Sequence, residues 1–204
     1  MYIVCSDLEG VFVPEIWINV SKHTGIEELK LTTRDISDYD VLMKRRLKIL
    51  KENNLTIFDI QNVISKIDPL DGAKEYIDWL RRTTQLIIVS DTFAEFADPL
   101  MEKLGRPTLF CHNLTIDQKG NIIDYNLRQP NGKRRVVESL QGLNYKVIAI
   151  GDSYNDTEML LKADLGILFR PPQRVMEEFP QLPVVDSYEE LMKLISERLE
   201  SNRN

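Results

Sequence analysis

Short apolar runs alternate with segments of helical periodicity over most of the chain. Runs rich in β-branched residues predict strands at 3–6, 85–91, 145–152, 165–169 and 183–187. Between them, apolar residues recur at helical spacing in 72–84, 95–105, 132–143 and 156–164. Lys119-Gly120-Asn121 separates two alternating segments and predicts a β-hairpin. The pattern as a whole predicts an α/β fold, Rossmann-like, with a mainly parallel sheet and helices on both faces.

The segment 13–69 departs from this alternation. Three stretches within it have helical patterns, at 15–25, 38–54 and 56–67, and none of them has the pattern of a strand. A helical block of this size after the first strand predicts an insertion that covers the strand ends. We therefore expect a helical cap at 13–69 and a Rossmann-like catalytic core made of 1–12 and 70–204.

The composition limits the compartment and the classes of partner. The chain has 204 residues, 43% of them apolar, which is enough to bury a full core. The formal net charge of −6 argues against nucleic acid and against an anionic membrane surface. Cys5 and Cys111 lie in apolar runs without metal-ligand spacing, so we expect both to be reduced core residues of a cytoplasmic protein. No stretch has the length and apolar character of a membrane span or a signal peptide.

Two groups of acidic residues follow predicted strands. Asp7 and Glu9 come after the first strand, Asp152 ends the strand at 145–152, and Asp156 lies in the turn beyond it. In open α/β sheets, ligands bind at the carboxyl ends of the strands. Converging carboxylates repel one another unless a cation or shared protons neutralise them, and oxygen ligands suit Mg²⁺. The alternative interpretation is ordinary capping and turn chemistry, which would suffice for either group alone.

A second set of residues is typical of an anion site. Ser90 ends its predicted strand, and the amides of Asp91 and Thr92 are expected to open the next helix. Lys133 lies in the first turn of a predicted helix, where the helix dipole disfavours a cation. A simple N-cap serine and a solvated lysine are the alternative interpretations of these two positions.

Taken in order, the acid pair, the serine, the lysine and the GDSYND segment resemble the four motifs of the haloacid dehalogenase-like phosphatase superfamily. The segments DLEGVFVPEIW and YDVLMKRRLKIL resemble phosphoserine phosphatase. They are most similar to the group of bifunctional phosphoserine phosphatases and homoserine phosphotransferases, which also has Glu where most relatives have Asp.

The resemblance implies a role for each residue. Asp7 would be the nucleophile and Glu9 the general acid and base. The ligands of Mg²⁺ would be Asp7, the backbone carbonyl of Glu9, and Asp152, with Asp156 in support. The substrate would be bound by Glu15 at its ammonium, Arg46 at its carboxylate, and Ser90, Asp91, Lys133 and Asn155 around its phosphate. Arg45 adjoins Arg46 and is the alternative for the carboxylate.

The resulting expectation is an Mg²⁺-dependent phosphoserine phosphatase that also transfers the phosphoryl group to homoserine, through an aspartyl phosphate on Asp7. The alternatives are a phosphatase of another small monoester, such as a sugar phosphate or a nucleotide, and a non-enzymatic receiver phosphorylated on aspartate.

Several other residues are expected to have no catalytic role. His23 and His112 have no partner at catalytic or ligand spacing and are expected to be structural or surface residues. Apolar and aromatic residues at helical spacing are expected to lie in the core, namely Trp17, Tyr76, Trp79 and Met159.

Overall fold

The computed structural model describes residues 1–32, 35–36 and 38–201. Within these residues, seven strands form one sheet in the order β4-β3-β2-β1-β5-β6-β7. The strands are β1 (Tyr2–Ser6), β2 (Gln85–Phe93), β3 (Thr108–Ile116), β4 (Ile122–Asn126), β5 (Lys146–Gly151), β6 (Leu165–Phe169) and β7 (Val184–Val185). All neighbouring pairs are parallel except β3 and β4, which form the antiparallel hairpin predicted around Gly120. The predicted α/β fold with a mainly parallel sheet is confirmed.

Helices follow the strands in the predicted alternation. The described helices are α1 (Ile16–Thr24), α2 (Tyr39–Glu52), α3 (Ile57–Ile64), α4 (Ala73–Thr83), α5 (Ala94–Lys103), α6 (Gly132–Gly142), α7 (Thr157–Lys162), α8 (Gln173–Glu178) and α9 (Tyr188–Glu200). The helical predictions between Val13 and Pro69 are confirmed as α1, α2 and α3. Helices α8 and α9 were not predicted. Among the described residues, no helix combines the length and the apolar character needed to cross a lipid bilayer.

Side chains that alternate along the strands build a core on each face of the sheet. Val4 and Ile148 pack into one apolar cluster, which includes residues of α4, α5 and α9. Their neighbours Cys5 and Ala149 pack into the opposite cluster with residues of α6, α7 and α8. Helices α1 and α3 contribute to the first cluster, so the segment between β1 and α4 is joined to the sheet by a continuous core.

The two cysteines differ in their surroundings. Both are free thiols, and Cys5 is completely buried, so burial raises its pKa to about 12. Cys111 lies in β3 and is only half-buried, which corrects the expectation that it is a core residue. The difference follows from position, because β1 is central in the sheet, whereas β3 neighbours the edge strand β4.

Candidate active site

The carboxyl ends of two adjacent central strands bring the predicted acids together. β1 and β5 are parallel neighbours, and the amide of Asp7 donates to the carbonyl of Ile150 at 2.9 Å. Asp7 directly follows β1, Asp152 directly follows β5, and Asp156 ends the short 3₁₀ turn after β5. Carboxylate oxygens of Asp7, Asp152 and Asp156 all lie within 4.8 Å of one another. This cluster is the arrangement that the two acidic segments predict.

Asp156 is fully buried and its oxygens are used by the protein itself. One oxygen, Oδ2, accepts from the amides of Asp152 and Ser153 at 3.1 Å, which fixes the turn after β5. The other, Oδ1, accepts from Lys133 Nζ at 2.7 Å. A Cβ at Gly151 would collide with the Asp156 side chain, so the turn requires glycine at that position. Asp156 therefore does not line the cavity, but its hydrogen bonds hold Lys133 and the turn after β5 in place.

Lys133 is a buried cation between two buried carboxylates. It lies in the first turn of α6, as predicted, and its Nζ is 2.9 Å from Asp7 Oδ1 and 2.7 Å from Asp156 Oδ1. Burial alone would lower the pKa of Lys133, but Asp156, Asp7 and Asp91 hold it well above its ordinary value. The lysine is therefore permanently charged, which accounts for a cation in a helical turn where the dipole disfavours one.

Negative charge in the acid cluster exceeds what Lys133 neutralises. Burial and the charge of Asp156 raise the pKa of Asp152 to about 7, and the same two causes raise the pKa of Asp7. Gly10 has φ of 78°, and a Cβ there would collide with the carboxyl of Asp152, so the loop after β1 closes tightly around this group. An all-oxygen donor set with unneutralised charge fits a hard divalent cation.

Glu9 points into the cavity from the loop after β1. Its Oε2 accepts from the amide of Ile16 at 2.7 Å, which satisfies one of the free N–H groups at the start of α1. Burial, the charge of Glu15 and a hydrogen bond with the Glu15 side chain raise the pKa of Glu9 to about 8, against the lowering effect of Ile16 and Arg46. The carboxyl of Glu9 therefore carries a proton at neutral pH.

The serine motif differs from its prediction. β2 does not end at Ser90 but continues through Asp91 and Thr92 to Phe93, and α5 begins at Ala94. The amides of Asp91 and Thr92 consequently do not open a helix, and the Ser90 hydroxyl accepts from the Thr92 amide at 3.2 Å. The physical reason is that β2 stays extended beside β3, with an irregular register between Val89 and Phe93. Ser90 nevertheless lies in the cavity wall.

Asp91 connects several elements at the cavity wall. Its Oδ2 is 3.4 Å from Asn155 Nδ2 and 3.8 Å from Lys133 Nζ, and its carbonyl accepts from the Tyr39 hydroxyl of α2 at 3.2 Å. Burial would raise the pKa of Asp91, but Lys133, with hydrogen bonds from His112 and Asn155, lowers it to about 2. Asp91 is therefore ionised and joins the helical segment to the strand ends.

His112 is a residue near the site that sequence reasoning missed. It lies within β3 and is 7% exposed. Its Nε2 is 3.6 Å from Asp91 Oδ1, and its Nδ1 accepts from the amide of Arg128 at 3.1 Å. A lone histidine in an apolar run carries no signal of this contact, because Asp91 is on another strand. His23, by contrast, is an exposed residue of α1.

Helix α2 turns Arg46 inward and Arg45 outward. Arg46 is 6% exposed and lines the cavity, whereas Arg45 is exposed to solvent. Arg46 Nη2 donates to the carbonyl of Leu31 at 2.7 Å, and its guanidinium lies 4.4 Å from the ring centroid of Trp17. Trp17 is buried in the core as predicted, but it also lines the cavity, which was not predicted.

These groups surround one cavity of about 190 Å³. It brings together every predicted site residue except the underlying Asp156, namely Asp7, Glu9, Glu15, Arg46, Ser90, Asp91, Lys133, Asp152 and Asn155. Acids and Lys133 lie at the strand ends, and Glu15 and Arg46 come from the helical segment. Chemically, the cavity can hold a divalent cation, receive an anionic group at Lys133, and supply a protonated carboxyl from Glu9.

Comparisons with known proteins agree with this geometry. A family model described as haloacid dehalogenase-like hydrolase matches residues 12–164. The chain is 56% identical over 193 residues to "Phosphoserine phosphatase ThrH" of Pseudomonas aeruginosa, covering 95% of this chain and 94% of that protein. It is also 56% identical over 191 residues to "Phosphoserine phosphatase" of Pseudomonas syringae pv. tomato, covering 94% of this chain and 81% of that protein. The chain belongs to the haloacid dehalogenase-like hydrolase family.

A solved structure supports the fold assignment. The structure described as "Phospho-Aspartyl Intermediate Analogue of Phosphoserine phosphatase" matches with a TM-score of 0.74 at 23% identity. The match covers 94% of this chain and 97% of that one. At this level of identity the likeness is one of fold.

Proposed function

We propose that the protein is an Mg²⁺-dependent phosphoserine phosphatase that also transfers the phosphoryl group to homoserine, through an aspartyl phosphate on Asp7. The observation that carries the proposal is a single cavity lined by two chemically different sets of residues. Asp7 and Lys133 suit a phosphate ester, and Glu15 and Arg46 suit an ammonium and a carboxylate. The two 56% identical relatives are both named phosphoserine phosphatase, which supports the same substrate.

The proposed metal ligands are Asp7, the backbone carbonyl of Glu9, and Asp152. The raised pKa of Asp152 and the close approach of Gly10 to its carboxyl support a cation there. Asp156 is left out of the set because its oxygens already accept from Lys133 and from two amides. When bound, Mg²⁺ would neutralise the acids and the charge on the transferring phosphoryl group.

In the proposed first step, a carboxylate oxygen of Asp7 attacks phosphorus and the bond from phosphorus to the seryl oxygen breaks. Lys133, held 2.9 Å from Asp7, lies where it can bind the phosphoryl oxygens and stabilise their charge. The leaving seryl oxygen takes its proton from Glu9. Because the pKa of Glu9 is raised to about 8, the acid form is available at neutral pH.

In the second step, an incoming hydroxyl attacks phosphorus and the acyl phosphate bond to Asp7 breaks. Glu9, now a carboxylate, takes the proton from that hydroxyl, whether it belongs to water or to homoserine. Glu9 is one methylene longer than Asp, which most relatives have, and this displaces its carboxyl by roughly an ångström. We propose that this reach suits the hydroxyl of homoserine, which is one methylene further from the α-carbon than that of serine.

Recognition of the amino acid is assigned to the segment 13–69, which we propose acts as a cap. Arg46 would bind the carboxylate and Glu15 the ammonium, while Ser90, Asn155 and the backbone at Asp91 surround the phosphate. The hydrogen bond from Tyr39 to the Asp91 carbonyl closes this segment over the strand ends. A closed cap would exclude bulk water, which transfer to an alcohol requires.

The test is a panel of phosphate monoesters with Mg²⁺, followed by phosphorus NMR with and without homoserine. We expect phosphoserine to be turned over in preference to a sugar phosphate and a nucleotide, and phosphohomoserine to form when homoserine is saturating. Preference for a monoester without amino-acid charges would overturn the substrate assignment. Inorganic phosphate as the sole product with homoserine present would remove the transferase activity. No turnover of any monoester would favour a receiver.

A further inference from the structure

Arg46 carries a buried charge with few fixed partners. Its Nη2 makes one strong hydrogen bond, to the carbonyl of Leu31 at 2.7 Å, and its Nη1 lies 3.7 Å from Met43 Sδ. Within the described part of the chain, its Nε is buried without a hydrogen-bond partner. A guanidinium with one strong anchor can rotate about that anchor, so the hydrogen bonds alone do not fix the direction of its remaining donors.

The face of Trp17 supplies the missing constraint. The Arg46 guanidinium carbon lies 4.4 Å from the centroid of the indole, within the range of a cation–π contact. The indole is itself held in place by aromatic contacts. Its ring packs edge-on against Phe96 of α5 with 5.4 Å between the ring centroids, and Phe96 packs edge-on against Phe93 with 5.7 Å between the centroids. Phe93 and Phe96 are each only 1% exposed. The contact therefore joins Arg46 to buried aromatic side chains at the carboxyl end of β2.

We infer that Trp17 is a positioning residue for Arg46, which holds the plane of its guanidinium in the cavity so that its free donors meet the carboxylate of the substrate. The inference rests on the proposed function, since it takes Arg46 to bind that carboxylate. Trp17 also lines the cavity, so its ring covers the guanidinium on the side where water would otherwise compete for it. Specificity for amino-acid phosphates then depends on a tryptophan that itself carries no charge.

The test compares Trp17→Leu, Trp17→Phe and Arg46→Ala on phosphoserine and on p-nitrophenyl phosphate, which has no carboxylate. For Trp17→Leu, we expect kcat/KM to fall about 5- to 30-fold more on phosphoserine than on p-nitrophenyl phosphate, mainly through KM. Trp17→Phe, which keeps an aromatic face, should lose less. Trp79→Leu is the matched control, because Trp79 stacks on Tyr76 and does not line the cavity. Trp79 is half-buried and packs against the core, which corrects the expectation that it lies within the core.

The double variant Trp17→Leu with Arg46→Ala separates positioning from packing. If Trp17 acts through Arg46, the double variant should show the same selective loss as Arg46→Ala alone. Additive losses, or equal losses of Trp17→Leu on both substrates, would overturn the inference. Should Trp17→Leu fail to fold, Trp17→Met takes its place, because it also removes the aromatic face, and an unchanged ratio of the two substrates in that variant would overturn the inference too. If Arg46→Ala itself shows no selective loss, then the proposed recognition fails and not merely the role of Trp17.

Discussion

Replacing Lys133 by Met should destabilise the protein strongly, because it leaves buried carboxylates without their cation. Lys133, Asp7 and Asp156 have side chains that are 5%, 6% and 0% exposed, and the lysine is within 2.9 Å of both acids. Removing one partner of a buried ion pair costs about 3–5 kcal/mol. For a chain of 204 residues, this corresponds to a fall in Tm of roughly 6–20 °C, at about 2–4 °C per kcal/mol.

Arg134→Ala is the matched control for this prediction. Arg134 is the next residue of α6, and it pairs with Glu138 at 2.9 Å, but the two side chains are 47% and 41% exposed. A solvent-exposed pair of this kind contributes little to stability, so Tm should fall far less than for Lys133→Met. Thermal unfolding of both variants in EDTA, with circular dichroism as the readout, makes the comparison.

Two conditions should reduce the loss of thermal stability in Lys133→Met. Acidic pH should reduce it because the abandoned carboxyls then take up protons, and Mg²⁺ should reduce it because a cation replaces the lost charge. Turnover of phosphoserine should fall about 100- to 1000-fold, as for removal of one stabilising donor. Equal melting temperatures for Lys133→Met and Arg134→Ala would refute the reasoning, since the buried network would then carry no stability.

Four further predictions concern the acids and the arginines. Asp7→Asn should abolish phosphoserine turnover, because an amide is a poor nucleophile and metal ligand; near-normal phosphate release by the variant would exclude Asp7 as the nucleophile. Because the pKa of Asp152 is about 7 without a cation, protons should compete with Mg²⁺, and Mg²⁺ affinity measured by calorimetry should rise from pH 6 to pH 8. Asp152→Asn should weaken Mg²⁺ activation, and an unchanged titration would remove Asp152 from the metal site. Arg46→Ala should cost roughly 10- to 150-fold more in kcat/KM on phosphoserine than on p-nitrophenyl phosphate, from about 1.5–3 kcal/mol per charged hydrogen bond. Arg45 is exposed, so Arg45→Ala should leave kcat/KM unchanged on both phosphoserine and p-nitrophenyl phosphate. A selective loss on phosphoserine in that variant would assign binding of the substrate carboxylate to Arg45.

The sequence predicts the acid cluster well because strand ends are a local signal. Asp7 and Asp152 each follow an apolar run, and the carboxyl ends of neighbouring parallel strands share one edge of the sheet. The inward direction of Arg46 also has a sequence signal. Arg46 lies four residues after Leu42 and four before Leu50, which places it on the buried stripe of α2, whereas Arg45 lies off that stripe.

The features that the sequence does not predict depend on contacts between distant segments. The helix start expected at Asp91 and Thr92 is wrong, although the helix itself is present as α5, because β2 continues beside β3 to Phe93 and strand pairing overrides the local turn signal. Trp17 has the helical spacing of a core residue, and its contact with Arg46 arises only when the fold brings these two side chains of α1 and α2 to the same cavity. His112 lies in β3, and its approach to Asp91 likewise depends on the alignment of two strands.

The proposed function depends above all on one step, in which Asp7 takes the phosphoryl group from phosphoserine. The most direct measurement is mass spectrometry of the protein after it is mixed with phosphoserine and Mg²⁺ and quenched rapidly in acid. We expect one phosphoryl group on the peptide that contains Asp7, absent in Asp7→Asn and lost faster when homoserine is added before the quench. Steady turnover with a phosphoryl group on Ser90, or with Asp7→Asn still labelled, would contradict it.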